Sequence, residues 1–302
     1  MNILLTGATG FLGSHLLKRL LQEGHKVAIL KRSSSNCRRI MESLDQCRSY
    51  DTDHISLDAV FHESGIEAVI HCATEYGKNI PADRVAESNL IFPLQVLEAT
   101  VSANCPYFIN TDSFFTKQLP DRLLQSQALY SPEYTLSKYQ FREWGRLRAI
   151  EGEVNFINLQ MEHIYGPDDG EGKFVPFLIR AMQNGTRELD LTDGIQIRDF
   201  IYVDDAAAAY LAVLADRKSL SGYSHFEVGT GVSYTVKELA ETVRTELGAE
   251  TRLNFGRKPR MDSEIMFSTA RNRTSIAGFV PRITLEEGIK RMAAYLKGME
   301  QE

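Results

Sequence analysis

The chain has 302 residues, 43% of them hydrophobic and 25% charged, with a formal net charge of −6. That length exceeds one small core and suits a large domain or two modest lobes. The negative balance argues against a generic nucleic-acid or anionic-membrane surface, and no apolar run approaches the roughly 20 residues that span a bilayer. Met1 leads straight into an apolar run and a glycine cluster, with no basic region or cleavage site of a signal peptide, so a cytoplasmic protein is expected. Cys37, Cys47, Cys72 and Cys105 are scattered, without a C-x-x-C pair or a histidine at metal spacing; reduced thiols and no metal site are expected.

Residues 2–5 form a short apolar run that stops at Gly7, as a buried parallel strand does. Leu12, Leu16, Leu17, Leu20 and Leu21 then recur at helical spacing until Gly24. Residues 27–30, 68–72 and 107–110 read as further strands, each after the first preceded by a plausible helix. A helix from Tyr134 to Ala149 and a strand over 154–159 follow. This alternation predicts an α/β fold with a doubly wound parallel sheet. Past Tyr165-Gly166-Pro167 the rhythm changes, which predicts a smaller substrate lobe. The expected division is a dinucleotide-binding domain over 1–160, with a return segment near 200–232, and a lobe over 161–199 and 233–302. Substrate is expected beyond the carboxyl ends of the strands.

Gly7, Gly10 and Gly13, with Thr9, Phe11 and Leu12 between and after them, follow a strand and open a helix. That context lets a pyrophosphate approach the helix N-terminus, where N–H groups and the dipole favour an anion. The end of the second strand selects the dinucleotide. An NAD site usually carries a carboxylate there for the ribose hydroxyls. Here stand Lys31, Arg32 and Ser33, which suit the extra phosphate of NADP, so NADP(H) is expected over NAD. Asp51 and Thr52, between the 27–30 and 68–72 strands, are candidates for holding the adenine.

Tyr134 and Lys138 lie one helical turn apart, so a phenol and an ammonium point the same way. A free tyrosine titrates near about 10, and the ammonium, with an oxidised nicotinamide close by, is expected to pull Tyr134 toward the working pH. Such a pair can pass a proton to or from a carbonyl or alcohol oxygen. Thr111, at the end of the 107–110 strand, can offer its hydroxyl to the same oxygen.

With these motifs in order, the chain resembles an extended short-chain dehydrogenase/reductase of the NAD-dependent epimerase/dehydratase family, the kind that modifies nucleotide-linked sugars. His71-Cys72-Ala73-Thr74, Asn89, Ile164-Tyr165-Gly166-Pro167, Arg198-Asp199-Phe200-Ile201-Tyr202-Val203-Asp204-Asp205 and Gly278-Phe279-Val280-Pro281 extend the resemblance over nearly the whole chain. The resemblance implies that Tyr134 is the acid/base, that Lys138 also bonds the nicotinamide ribose, and that Thr111 binds the reacting oxygen. It implies that Ala73 and Thr74 line the cofactor, with Asn89 nearby, and that Arg198 holds the nucleotide diphosphate, with Arg257 or Arg260 as a further phosphate contact. Tyr76, Asp112, Ser113, His163, Lys173 and Phe174 complete the candidate substrate contacts. Sugar 4,6-dehydratases of the family carry Thr-Asp-Glu where this chain has Thr111-Asp112-Ser113; without the glutamate, dehydration loses its base. Lys31 and Arg32 point to net reduction, the alternative being a 4-epimerase with retained NAD. The run from Asn110 to Asp112, with Glu162-His163-Ile164-Tyr165-Gly166-Pro167, most resembles bacterial CDP-4-keto-dideoxyhexose reductases of the CDP-abequose or CDP-paratose synthase type. A homodimer is implied through the Tyr134 helix and the helix following Asn89. Phe141, Trp144 and Leu147 are read as core before interface.

Overall fold

The computed structural model describes residues 1–77, 79–124, 131–261, 263–270 and 275–299. Seven strands form the central sheet: β1 (Asn2–Thr6), β2 (Lys26–Lys31), β3 (Arg48–Asp51), β4 (Ala68–His71), β5 (Tyr107–Ser113), β6 (Asn155–Met161) and β7 (Tyr223–Val228). Their spatial order is β7-β6-β5-β4-β1-β2-β3. The pairs β2–β3, β1–β2, β1–β4 and β4–β5 are parallel. The order reverses beside β1, and that switch point is where such sheets bind ligands. Ile3, Leu4, Leu5, Ile29, Val69 and Ile70 have no exposed surface, which is why these strands read as unbroken apolar runs rather than alternating ones.

The helices that matter here are α1 (Phe11–Gln22), α2 (Leu57–Ser64), α3 (Phe92–Ser102), α4 (Pro132–Ile150) and α5 (Val203–Asp216). A π-helical turn, Glu87–Ile91, precedes α3 and carries Asn89, a feature that the periodicity does not show. Phe141 of α4 sits in the core against Phe108 and Phe156, with ring centroids 5.8 and 5.9 Å away. Trp144 and Leu147 do not join it: they remain 45% and 42% exposed, with Leu136 and Ile150 on the same stripe of the helix. The core reading of those two residues is therefore corrected. All four cysteines are free thiols, and no helix among the described residues is long and apolar enough to cross a membrane.

The chain divides into two units, the first being Met1–Gln160, Ala209–Phe226 and Thr274–Gly278, the second Met161–Ala208, Glu227–Arg273 and Phe279–Glu302. Within the second, short strands pair two by two, His163–Tyr165 with Phe200–Tyr202, Ile197–Arg198 with Tyr234–Thr235, and Glu188–Asp190 with Arg252–Asn254. Buried Asp199 ties its loops together, accepting from Thr230 N (2.9 Å), Thr230 Oγ1 (2.7 Å), Gly231 N (2.8 Å) and Ala270 N (3.2 Å). A carboxylate satisfied by this many donors holds its segments firmly.

Candidate active site

The glycine cluster is dictated by contact. Gly7 has φ +72°, and a Cβ there would stand 2.4 Å from the Ala73 nitrogen. A Cβ on Gly13 would stand 2.1 Å from the Gly7 carbonyl oxygen. Neither position accepts a larger residue without moving backbone. Gly10 caps α1 in extended conformation, donates to Gly7 O at 2.9 Å and brings no side chain to the helix N-terminus. That end keeps its N–H groups for an anion, with Thr9 before the cap and Phe11 and Leu12 opening the helix. Ala73 leans on the same turn. Asn89 fixes the chain beyond it, accepting from Glu75 N (2.7 Å) and Thr74 Oγ1 (3.3 Å) and donating to Glu75 O (2.7 Å) and Ser137 Oγ (3.2 Å). Asn89 therefore locks the exit of β4 to α4 rather than standing open to a ligand.

At the end of β2 the cations are less available than the sequence suggests. Lys31 is register partner of Asp51 across β2–β3 and forms an ion pair with it, and this hydrogen bond raises the Lys31 pKa. Ser33 donates to Asp53 from its nitrogen (2.9 Å) and also from its hydroxyl, and these bonds lower the Asp53 carboxyl to about 2. Thr52 donates to the Lys31 carbonyl (2.8 Å). Arg32 is exposed. Arg39, which the sequence reading missed, reaches the Thr9 carbonyl at 3.4 Å and so touches the glycine turn. Its signal was the basic pair Arg38-Arg39 shortly after the second strand.

Tyr134 and Lys138 occupy the first turns of α4, both buried. The Tyr134 ring stacks on Tyr76 at 5.3 Å and 21° and meets Phe115 edge-on at 5.9 Å. Burial above all, then Tyr76 and Asp112, pushes the phenol above its ordinary value, and the Ser113 hydroxyl pulls the other way through a hydrogen bond. Among the protein's own side chains burial sets the direction, and Lys138 is not one of the groups that shift the phenol. Burial lowers Lys138 from 10.5, with Asp112 and then Cys72 opposing.

Thr111 directs its hydroxyl to Tyr210 OH (2.7 Å) and Cys72 Sγ (3.2 Å). Asp112 faces the opposite side of β5. Its carboxylate, with no side-chain exposure, accepts from Ser113 N (2.7 Å), Thr116 Oγ1 (3.1 and 3.2 Å), Asn158 Nδ2 (3.0 Å) and Arg142 Nη1 (3.4 Å). These internal partners occupy it, so Asp112 is not offered to a substrate as its neighbours in sequence suggest. Arg142, Asn158, Thr116 and Tyr210 belong to no motif. The only sign of Tyr210 was a lone phenol in the alanine-rich stretch 206–209, a buried hydroxyl in need of a partner.

In the second unit, His163 lies on a short strand, Lys173 is the N-cap residue before the helix Phe174–Gln183, and Arg198 ends the strand Ile197–Arg198. Burial, then Arg198 and Lys173, holds the His163 imidazole well below its ordinary value, which keeps it neutral. Arg198 donates to Ile197 O (2.8 Å) and lies 3.7 Å from Glu264. Arg260 pairs with Asp193 at 2.8 Å, whereas Arg257 is exposed. Two partly desolvated cations and a neutral imidazole thus act on one another, a setting that favours a bound anion.

Residues 3–229 match the profile of the NAD dependent epimerase/dehydratase family. The chain is 33% identical over 295 residues, 96% of both chains, to a CDP-abequose synthase of Salmonella typhimurium. It is 35% identical over 293 residues, again 96% of both, to the CDP-abequose synthase of Salmonella muenchen. Its fold is similar to that of a UDP-glucose 4-epimerase of Thermotoga maritima solved with UDP-glucose, at TM-score 0.82 and 24% identity over 99% of this chain and 100% of that one. A Thermus thermophilus UDP-glucose 4-epimerase solved with NAD gives TM-score 0.77 at 21% identity over 99% of both chains, a likeness of fold alone. The glycine turn, the Tyr134–Lys138 helix and the profile match agree, and the chain belongs to the NAD dependent epimerase/dehydratase family.

Proposed function

We propose that the protein reduces the 4-keto group of a nucleotide-diphosphate-linked 4-keto-6-deoxy sugar, with NADPH as donor and a CDP-linked sugar as substrate. The observation that carries this reading is the Tyr134–Lys138 pair, buried one turn apart on α4 with the Ser113 hydroxyl beside the phenol, in a chain one-third identical to CDP-abequose synthases. A protonated phenol is what a carbonyl reduction needs and what an alcohol oxidation does not.

The dinucleotide fits the first unit: Gly7 and Gly13 leave backbone exposed where a Cβ has no room, and the N-terminus of α1 carries no side-chain cap. Gly7, Thr9, Gly10, Phe11, Leu12 and Gly13 would hold its pyrophosphate, Ala73 and Thr74 its flank, and Lys138 with Tyr134 its nicotinamide ribose. When bound, NADPH supplies the hydride that adds to the sugar C4. Tyr134 gives its proton to the C4 oxygen as negative charge develops there. Lys138 supplies positive potential beside that oxygen, and the hydroxyls of Thr111 and Ser113 orient it. Ser113 cannot remove a proton from the sugar C5 as a carboxylate can, which separates the reaction from dehydration. Arg198 and Lys173 hold the diphosphate, and neutral His163 lines the substrate.

NADPH selection rests on Arg32 and Arg39, because Lys31 and Ser33 are tied to Asp51 and Asp53. Arg32→Ala should raise the Kd for NADPH about tenfold, the size of one lost charge-assisted phosphate contact, and leave the Kd for NADH unchanged. Fluorescence titration of the nicotinamide reads both. The same two carboxylates favour a second reading, a 4-epimerase that retains NAD on its ribose hydroxyls. A screen of CDP-, dTDP-, GDP- and UDP-linked 4-keto-6-deoxy sugars, followed by NADPH absorbance, separates the two. The reductase consumes NADPH with the CDP sugar first among them; tightly bound NAD with no NADPH consumption on any of the four would support the epimerase. The exposed apolar stripe of α4, Leu136, Trp144, Leu147 and Ile150, supports a homodimer through that helix.

A further inference from the structure

Tyr210 has no exposed surface and lies on α5 beside Ala206, Ala207 and Ala209, which are buried as well. Its hydroxyl is 2.7 Å from Thr111 Oγ1 and also hydrogen-bonds Cys72. The Thr111 hydroxyl in turn donates to Cys72 Sγ at 3.2 Å. A threonine hydroxyl has one proton. Either oxygen of the short pair can be its donor; with the threonine proton on the sulfur, the phenol, which burial keeps protonated, donates its one proton to Thr111, and its contact with Cys72 then takes the thiol proton.

We propose that Tyr210 is a positioning residue for the reduction: its buried hydroxyl fixes Thr111 so that the threonine proton is presented to the reacting oxygen. The inference rests on the role given to Thr111 above. Sulfur is a weak acceptor, so Cys72 holds the threonine proton loosely. A carbonyl oxygen, more so as it gains charge, takes that proton in its place, while the Tyr210 donation stays as it was. A hydroxyl that accepts one hydrogen bond donates the next more strongly, so Tyr210 both aims and polarises Thr111. Without the phenolic oxygen, Thr111 loses its strong partner and is free to turn about χ1.

A purely structural role would make Thr111 no more than the partner that satisfies a buried phenol. A double-mutant cycle on the full-length enzyme separates the two. Thr111→Val should lower kcat about 100-fold, as loss of a donor to a developing oxyanion does. Tyr210→Phe should lower kcat about tenfold with KM unchanged, and the double variant should be no slower than Thr111→Val alone. Wild-type kcat in Tyr210→Phe, or a double variant slower by the product of both effects, would overturn the proposal. Wild-type kcat in Thr111→Val would instead remove the Thr111 role on which it stands. If Tyr210→Phe does not fold, 3-fluorotyrosine at position 210 keeps ring and hydroxyl and strengthens the donor; kcat should then rise, and an unmoved kcat overturns the proposal equally.

Discussion

Replacing Tyr134 by phenylalanine should lower kcat by about 10²- to 10⁴-fold, the contribution of a positioned proton donor, and leave the Kd for NADPH within about threefold. The ring stays stacked on Tyr76 and edge-on to Phe115, so only the hydroxyl is lost. Steady-state NADPH oxidation and direct cofactor titration measure the two quantities. The pH profile of the unaltered enzyme carries a second signature. The Tyr134 phenol, raised by burial, keeps its proton up to and beyond its ordinary value of 10.0, so it sets no limb near neutrality. Lys138 is lowered from 10.5 by burial. As pH rises through that lowered value the ammonium loses its charge, so kcat should fall on the alkaline side below pH 10.5. Retained turnover in the phenylalanine variant would mean that the proton comes from elsewhere.

Asp112→Ala should be strongly destabilising. The carboxylate has no side-chain exposure and Arg142 opposite it has 13%, so removal takes away the buried partner of a guanidinium that keeps only the half-buried Glu143, at 3.2 Å, as a counter-charge. Breaking a buried pair from one side costs about 3–5 kcal/mol, against about 0–1 kcal/mol for an exposed pair. Thermal unfolding should show a fall of roughly 10 °C. The same change removes the anion that opposes the lowering of Lys138, so the alkaline limb of kcat should move to lower pH as well. Asp112→Asn, which keeps a hydrogen-bonding side chain in place, should lose less stability yet shift the limb in the same direction. A melting temperature unchanged in the alanine variant would show that the network does not bear on the fold.

The fold was legible wherever a local pattern carried it. β1 and β2 are buried on both faces and read as unbroken apolar runs, and the glycine turn sits between a strand and a helix. Tyr134 and Lys138 were legible because an i, i+4 pair on a helix fixes its own geometry. What depended on register was not. Lys31 meets Asp51 only because the two are aligned across β2–β3, and until that alignment is known Lys31 looks like a phosphate ligand. The direction of Asp112 was available in principle: alternation along β5 puts it on the face of Phe108, which packs against α4, and away from Thr111. Family position suggested a substrate contact, and strand parity decided otherwise. Trp144 and Leu147 mislead for another reason. An apolar stripe looks the same in sequence whether it faces a core or solvent, and Phe141 alone of the three turns inward. Tyr210 stands 99 residues from Thr111, a separation that no local pattern bridges.

The most direct test is isotopic. The enzyme is supplied with NADPH deuterated at the transferring position of the nicotinamide and with a CDP-linked 4-keto-6-deoxy sugar. Mass spectrometry and NMR then locate the label. Net reduction predicts deuterium at C4 of the product sugar in amounts equal to the NADP formed. An unlabelled, unreduced 4-keto sugar with no NADP formed, from enzyme that keeps its own NAD and interconverts the C4 hydroxyl configuration of the corresponding CDP-linked hexose, would contradict it.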